Sequence, residues 1–195
     1  MPMIAALLLI LSAVVFRIVM GIFVQSDSTW LANFAPMAAI ALCGAAFFPG
    51  RLKFIVPLGA LFVSDLVLNA HYGASMLDPL IFGRYLALAV VCCIGLALHN
   101  RATLKTLLPA SLAGSTIFYA VTNAFSWLSD PGYIKNFAGF LQALTVGLPG
   151  FPPTWLFFRN SLVSDLFFTC VFVACWHLGR SSERQRVTTP LPRPA

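Results

Sequence analysis

Six long runs of apolar residues occupy most of this 195-residue chain. An α-helix needs about 20 apolar residues to cross the ~30 Å hydrocarbon core of a bilayer. In that medium each backbone N–H and C=O must find its partner inside the protein, and a helix pairs them all within one segment. The runs fall at about Met3–Gln25, Phe34–Phe48, Lys53–Ala70, Leu80–Leu98, Leu107–Phe125 and Thr154–Leu178. The expected fold is all-α, a polytopic membrane protein built as a six-transmembrane-helix bundle. Residues 1–179 form its single domain. Residues 180–195 are polar, Arg-rich and Pro-rich, and are expected to be a disordered cytoplasmic tail. The first run lacks a basic segment before it and is long for a cleaved signal, so it is expected to be a transmembrane helix.

The connection Ser126–Pro153 is longer than the others. Its middle, Asn136–Leu148, is apolar but too short to span, and Gly147, Pro149 and Gly150 stop it. A re-entrant or interfacial helix is expected there, between spans 5 and 6.

Composition agrees with the membrane class. Hydrophobic residues make up 59% of the chain and charged residues 9%, against about 25% charged in ordinary soluble domains. The net charge of +6 does not point to nucleic acid, because the cations gather at the ends of the runs. Arg51 and Lys53 lie in the second loop, Arg101 and Lys105 in the fourth, and Arg180, Arg184, Arg186 and Arg193 in the tail. Asp27, Asp78 and Asp130 mark the first, third and fifth loops, the last also holding Lys135. The positive-inside rule then places both termini and the even-numbered loops in the cytoplasm. Trp30, Tyr72, Trp127, Tyr133 and Trp155 fall at the opposite, outer interface. The five cysteines lie within apolar runs without a CxxC pair, as small residues packing between helices do. The run of Ala35, Ala38, Ala39, Ala41, Gly44 and Ala45 in the second span predicts close helix packing.

Charges inside apolar runs are costly, and they usually face a polar interior or a pathway. The tetrapeptide Val-Ser-Asp-Leu occurs twice in such runs, at Val63–Leu66 and at Val163–Leu166. At ~1.5 Å per residue, Asp65 lies slightly outside the midplane and Asp165 near it. Arg17, Arg84 and Arg159 fall in the outer third. Asn69, Tyr85, Tyr119, Asn123 and Asn160 share that half. No charge falls between the midplane and the inner basic border. This asymmetry predicts a polar cavity open to the outer side, although such charges can also pair internally and only fix helix packing. The repeated tetrapeptide is compatible with an inverted duplication of three-helix halves and with chance recurrence in apolar sequence.

No HExxH, P-loop, GxGxxG or GxSxG motif is present, and Ser64 and Ser164 have no histidine at their depth. An enzyme is therefore not expected, and no cofactor is called for. His71 in the third loop is a weak candidate metal ligand. His99 and His177 are expected to be interfacial residues.

Several motifs resemble those of a known family. These are Asn33-Phe34-Ala35-Pro36 followed by Ala39–Ala45, Ser64-Asp65-Leu66, Thr122-Asn123 with Trp127, and Phe158-Arg159-Asn160-Ser161-Leu162 with Ser164-Asp165-Leu166-Phe167. Across roughly residues 15–172 the chain resembles six-helix bacterial membrane proteins related to the substrate-binding (S) components of energy-coupling-factor vitamin transporters, small cobalamin carriers among them. The resemblance implies an S-component fold in the bacterial inner membrane, cytoplasmic termini and a solute site near the outer face. It also implies an energising transporter module as partner, beside the lipid bilayer. The first helix offers Ala5-xxx-Leu9 and Leu9-xxx-Ala13 where such proteins carry small-xxx-small contacts for that module. The cobalt-ligating cysteine of the cobalamin carriers has no counterpart between Ala70 and Arg84, where His71 is the candidate ligand.

The expected function is thus binding or transport of a small polar solute such as a vitamin. Arg84 and Arg159 would hold an anionic group, with Asp65 and Asp165 orienting them. Trp127 and Tyr85 would stack on a ring, and the fifth connection would act as a lid. Arg17, Asn69, Asn123 and Asn160 complete the candidate site. The alternative is a structural or assembly protein whose charges pair internally.

Overall fold

The computed structural model of the chain describes residues 2–23 and 33–188. Asp27 and Trp30 of the first loop and Arg193 of the tail lie outside the described residues. Helices α1 (Pro2–Phe23), α2 (Met37–Phe47), α3 (Leu52–Tyr72), α4 (Pro79–Ala97), α5 (Leu104–Ser129), α6 (Phe137–Leu144) and α7 (Thr154–Thr188) follow one another, with a 3₁₀ turn at His99–Arg101. Among the described residues there is no strand. Helices α1, α3, α4, α5 and α7 are each long and apolar enough to cross a membrane. The chain is a multi-pass membrane protein with an all-helical bundle fold.

The second span departs from expectation. Its helix has 11 residues, about 16 Å at 1.5 Å per residue, roughly half the hydrocarbon core. Residues Asn33–Pro36 precede it in non-helical backbone. Asn33 has φ 60°, and the amides of Ala35 and Met37 reach back two residues, to the carbonyls of Asn33 and Ala35, at 2.8 Å each. Pro36 explains the break, because its ring cannot donate and it restrains the residue before it. Yet α2 is the centre of the bundle. Every residue from Met37 to Ala46 is buried, and the helix packs against α3, α4, α5 and α7. Its alanines and glycine let these neighbours approach closely, as their spacing predicts. A Cβ added to Gly95 of α4 would lie 2.3 Å from the Leu42 carbonyl oxygen. One added to Gly44 would lie 2.9 Å from Cγ of Pro57 in α3.

The far end of α2 is held by aromatics and a histidine. Phe47 and Phe48 meet Phe172 and Trp176 of α7 at centroid distances of 5.0–6.2 Å. His99 reaches the Ala46 carbonyl with Nδ1 at 2.6 Å. The acceptor is a carbonyl, so Nδ1 carries the proton, and the ring caps the C-terminus of α2. His99 is therefore a capping residue and more than an interfacial one.

Helix α7 also differs from expectation, since it continues past Gly179 to Thr188 and the tail is helical to that point. Gly179 abuts Pro2, so that α1 and α7 meet near their Arg51-side ends. Helix α6 occupies part of the predicted apolar stretch and packs on α5 and α7. The Asn136 side chain caps it by accepting from the Gly139 amide at 2.8 Å.

Replacing Gly95 with valine is expected to force α4 away from α2 and to lower stability by about 1–3 kcal/mol. Gly59→Ala, where a Cβ meets nothing within 4 Å, is expected to be close to neutral. Thermal unfolding of both proteins in the same detergent measures the difference.

Candidate functional site

A cavity of about 400 Å³ opens between the helices at the end of the bundle that carries Asp78. Its floor is the start of α2, with Met37 and Ala38, together with Ser115 of α5 and Asp165 of α7. Arg17 of α1, Asn69 of α3 and Arg84 of α4 form one side. Phe118, Tyr119, Thr122, Asn123 and Ser126 of α5 face them. Thr154, Phe157 and Ser161 of α7 close the remaining wall, and Ala74, Ser75 and Asp78 form part of the rim.

Asp165 owes its place at the floor to the break before α2. A helix leaves its first amides unpaired, and they must find acceptors. Pro36 and Ala35 carry no side-chain oxygen, so α2 has no cap from its own flank. Asp165 supplies one from α7, its Oδ1 accepting from the Ala39 amide at 2.9 Å. Oδ2 lies 2.7 Å from the Ser115 hydroxyl, which shares its single proton with the Ser111 carbonyl at 2.9 Å. The negative charge stands at the positive end of the α2 dipole, where it is stabilising. Asp165 is 2% exposed, so these contacts replace nearly all of its hydration.

Asp65 serves a different end. It is fully buried, behind the cavity wall. Arg17 donates to its Oδ1 at 2.7 Å and also to the Ser64 hydroxyl. Ser64 is fixed in turn on the Ala60 and Leu61 carbonyls of its own helix at 2.9 Å. Arg84 stands 3.4 Å from the same Oδ1. Two guanidinium groups thus share one carboxylate. Arg84 Nε, Asp65 Oδ2 and Tyr85 Oη are buried with no hydrogen-bond partner. The two Val-Ser-Asp-Leu copies therefore repeat a sequence but not an environment.

Of the ten residues expected at the site, Arg17, Asn69, Arg84, Asn123 and Asp165 line the cavity, and Asp65 stands directly behind two of them. Arg159 and Asn160 do not line it. Helical rotation explains this, because Thr154, Phe157, Ser161 and Asp165 share one face of α7 and Arg159 and Asn160 lie off it. Arg159 instead donates to the side-chain Oδ1 of Asn160 at 3.0 Å and stands 5.8 Å from the Trp155 ring. Tyr85, next to Arg84, turns towards the core. Trp127 donates from Nε1 to the Ile134 carbonyl at 2.9 Å and packs edge-on against Phe140. The rings at the cavity are Phe118, Tyr119 and Phe157. Stepping four residues from Asn123 reaches Tyr119 and two such steps from Asp165 reach Phe157, whereas Phe118 lies five residues from Asn123.

The expected lid also differs. Residues 130–153 contribute nothing to the cavity lining, and Lys135 ties this connection to the end of α5 through the Asp130 carbonyl. The short third connection and Asn33 border the opening in its place. His71 is exposed and packs against Tyr72, with ring centroids 5.1 Å apart. Among the described residues no group of three or more His, Cys, Asp or Glu side chains is close enough to hold a metal ion.

Removing Asp165 should open the bundle at its centre. Asp165→Ala is expected to destabilise by about 1–3 kcal/mol, the cost of leaving the Ala39 amide unpaired. Asp165→Asn keeps an acceptor and should lose less. Asp65→Ala leaves two cations without their carboxylate and should cost about 3–5 kcal/mol. Adding Arg17→Met to Asp65→Ala should recover part of that loss. Unfolding midpoints in detergent rank all four proteins.

No curated protein and no solved structure matches the chain. A family match covers residues 1–187, nearly the whole length. On that match, the chain, with its broken central helix and its arginine-lined cavity, belongs to the family of unknown function DUF6580.

Proposed function

We propose that this protein is an S-component-like binder or carrier of a small polar solute, such as a vitamin, acting without chemistry of its own. The carrying observation is the 400 Å³ cavity, walled by Arg17, Arg84, Asn69 and Asn123 beside aromatic rings. Small-molecule sites occupy about 300–1,000 Å³, largely apolar with a few placed polar groups. Asn33–Pro36 is non-helical backbone at membrane depth, which is tolerated where it borders a cavity or is buried in protein. Discontinuous helices beside a midplane site are a recurring feature of transporters.

The cavity opens at the end opposite Arg51, Lys53, Arg101 and Lys105. With those cations on the cytoplasmic side, the solute enters from outside the bacterial inner membrane, and both termini face the cytoplasm. An energising transporter module is the partner this reading calls for.

A second reading rests on Asp165 and Asp65, whose bonds to α2 and Arg17 serve the fold. Under it the buried charges only hold the bundle together. The two readings part on a solute panel. The full chain in detergent is expected to gain several degrees of thermal stability with at least one water-soluble vitamin, since ligand at 100 times its Kd stabilises by about 2.7 kcal/mol. A folded protein that no member stabilises would favour the structural reading.

A further inference from the structure

The cationic wall of the cavity narrows the class of solute. Arg17 is matched, because Asp65 accepts from it at 2.7 Å and Ser64 accepts as well. Arg84 is matched at longer range. Its nearest carboxylate oxygen is 3.4 Å away and also serves Arg17, and its Nε is buried without a partner. The Arg84 side chain lines the cavity. One carboxylate thus serves two guanidinium groups, and Arg84 holds the longer of the two ion pairs.

The other carboxylates at the cavity bond to groups other than Arg84. Asp165 is taken up by the Ala39 amide of α2 and by Ser115. Asp78 caps α4 at the exposed rim, accepting from the Leu80 amide at 2.8 Å. A partly buried guanidinium that shares its one carboxylate at 3.4 Å is incompletely paired, and a planar carboxylate meets its fork with paired, charge-assisted hydrogen bonds. A phosphate dianion would bring a second negative charge into a cavity that already holds Asp165 and Asp78. Leu61, Ile81, Phe118 and Phe157 are apolar and line the same cavity, while Asn69 and Asn123 add amide groups.

We infer that the solute is a monocarboxylate, with its carboxylate on Arg84 and an uncharged body, partly apolar and partly hydrogen-bonding, between α5 and α7. This inference rests on the solute-binding reading above and specifies it. The solute gives Arg84 a carboxylate that it need not share with Arg17, so binding completes its pairing as well as burying surface. A cation gains nothing from this wall, and a neutral amide of the same shape cannot complete that pairing.

Matched pairs that differ only at the acid test this on the full-length protein in detergent. Nicotinate is compared with nicotinamide, biotin with biotinamide and pantothenate with panthenol, beside thiamine as cation and pyridoxal 5′-phosphate as phosphate ester. Calorimetry and thermal unfolding are read at one pH and ionic strength. At least one acid is expected to bind, with its neutral partner weaker by about tenfold or more. In Arg84→Gln that difference is expected to collapse while the affinity for the neutral partner is kept. Should this variant fail to fold, the comparison on the unaltered chain decides alone. Equal affinity within the pairs, or tighter binding of thiamine or pyridoxal phosphate than of any acid, would overturn the monocarboxylate and leave solute binding standing. Binding by no member would bring down both.

Discussion

The carboxylate of Asp165 at the start of α2 is the contact on which the rest of the bundle depends. Helix α2 begins inside the protein, about a third of the way along α7, where its first amides need acceptors. Its own flank ends in proline and cannot cap it. A charge from a distant helix does so, and the helix dipole makes that charge tolerable. Because α2 is short, Asn33–Pro36 lie above its first turn in non-helical backbone. The cavity lies there, so cap and cavity have one origin in the break at Pro36.

The polar groups around the cavity divide by what surrounds them. Asp165 and Arg17 make hydrogen bonds within the protein. Arg84 holds the longer of the two ion pairs to Asp65, and it carries the argument for an anionic solute. A charge at membrane depth is a reason to look for function, but two buried aspartates with the same neighbours in sequence do unlike work here. One ends a helix and the other holds two arginines in place.

Much of this was legible in the sequence. Apolar run length gave the long helices, because lipid leaves the backbone few choices. The outer-half clustering of Arg17, Asp65, Arg84 and Asp165 gave the end of the bundle at which the cavity lies. The cut in the second span was less visible, since Phe34–Phe48 is apolar throughout and Pro36 stands near its start, where a helix accepts proline. Arg159, Tyr85 and Trp127 misled because depth was read and rotation was not. A side chain one residue along a helix turns by about 100°, enough to take it from the cavity to the core or the lipid. The lid was inferred from loop length alone, and no residue type in 130–153 could say on which side of α5 that loop would pack.

The bond between Ala39 and Asp165 joins residues 126 positions apart. During synthesis α2 leaves the ribosome long before its cap exists. Its 11 residues are too few to hold a membrane position alone, and its Ala39 amide lacks this acceptor until α7 arrives. The innermost helix of the protein is therefore among the last parts to be secured. A chain that ends before Asp165 leaves the Ala39 amide without its acceptor at the centre of the bundle, whereas the longer chain does not.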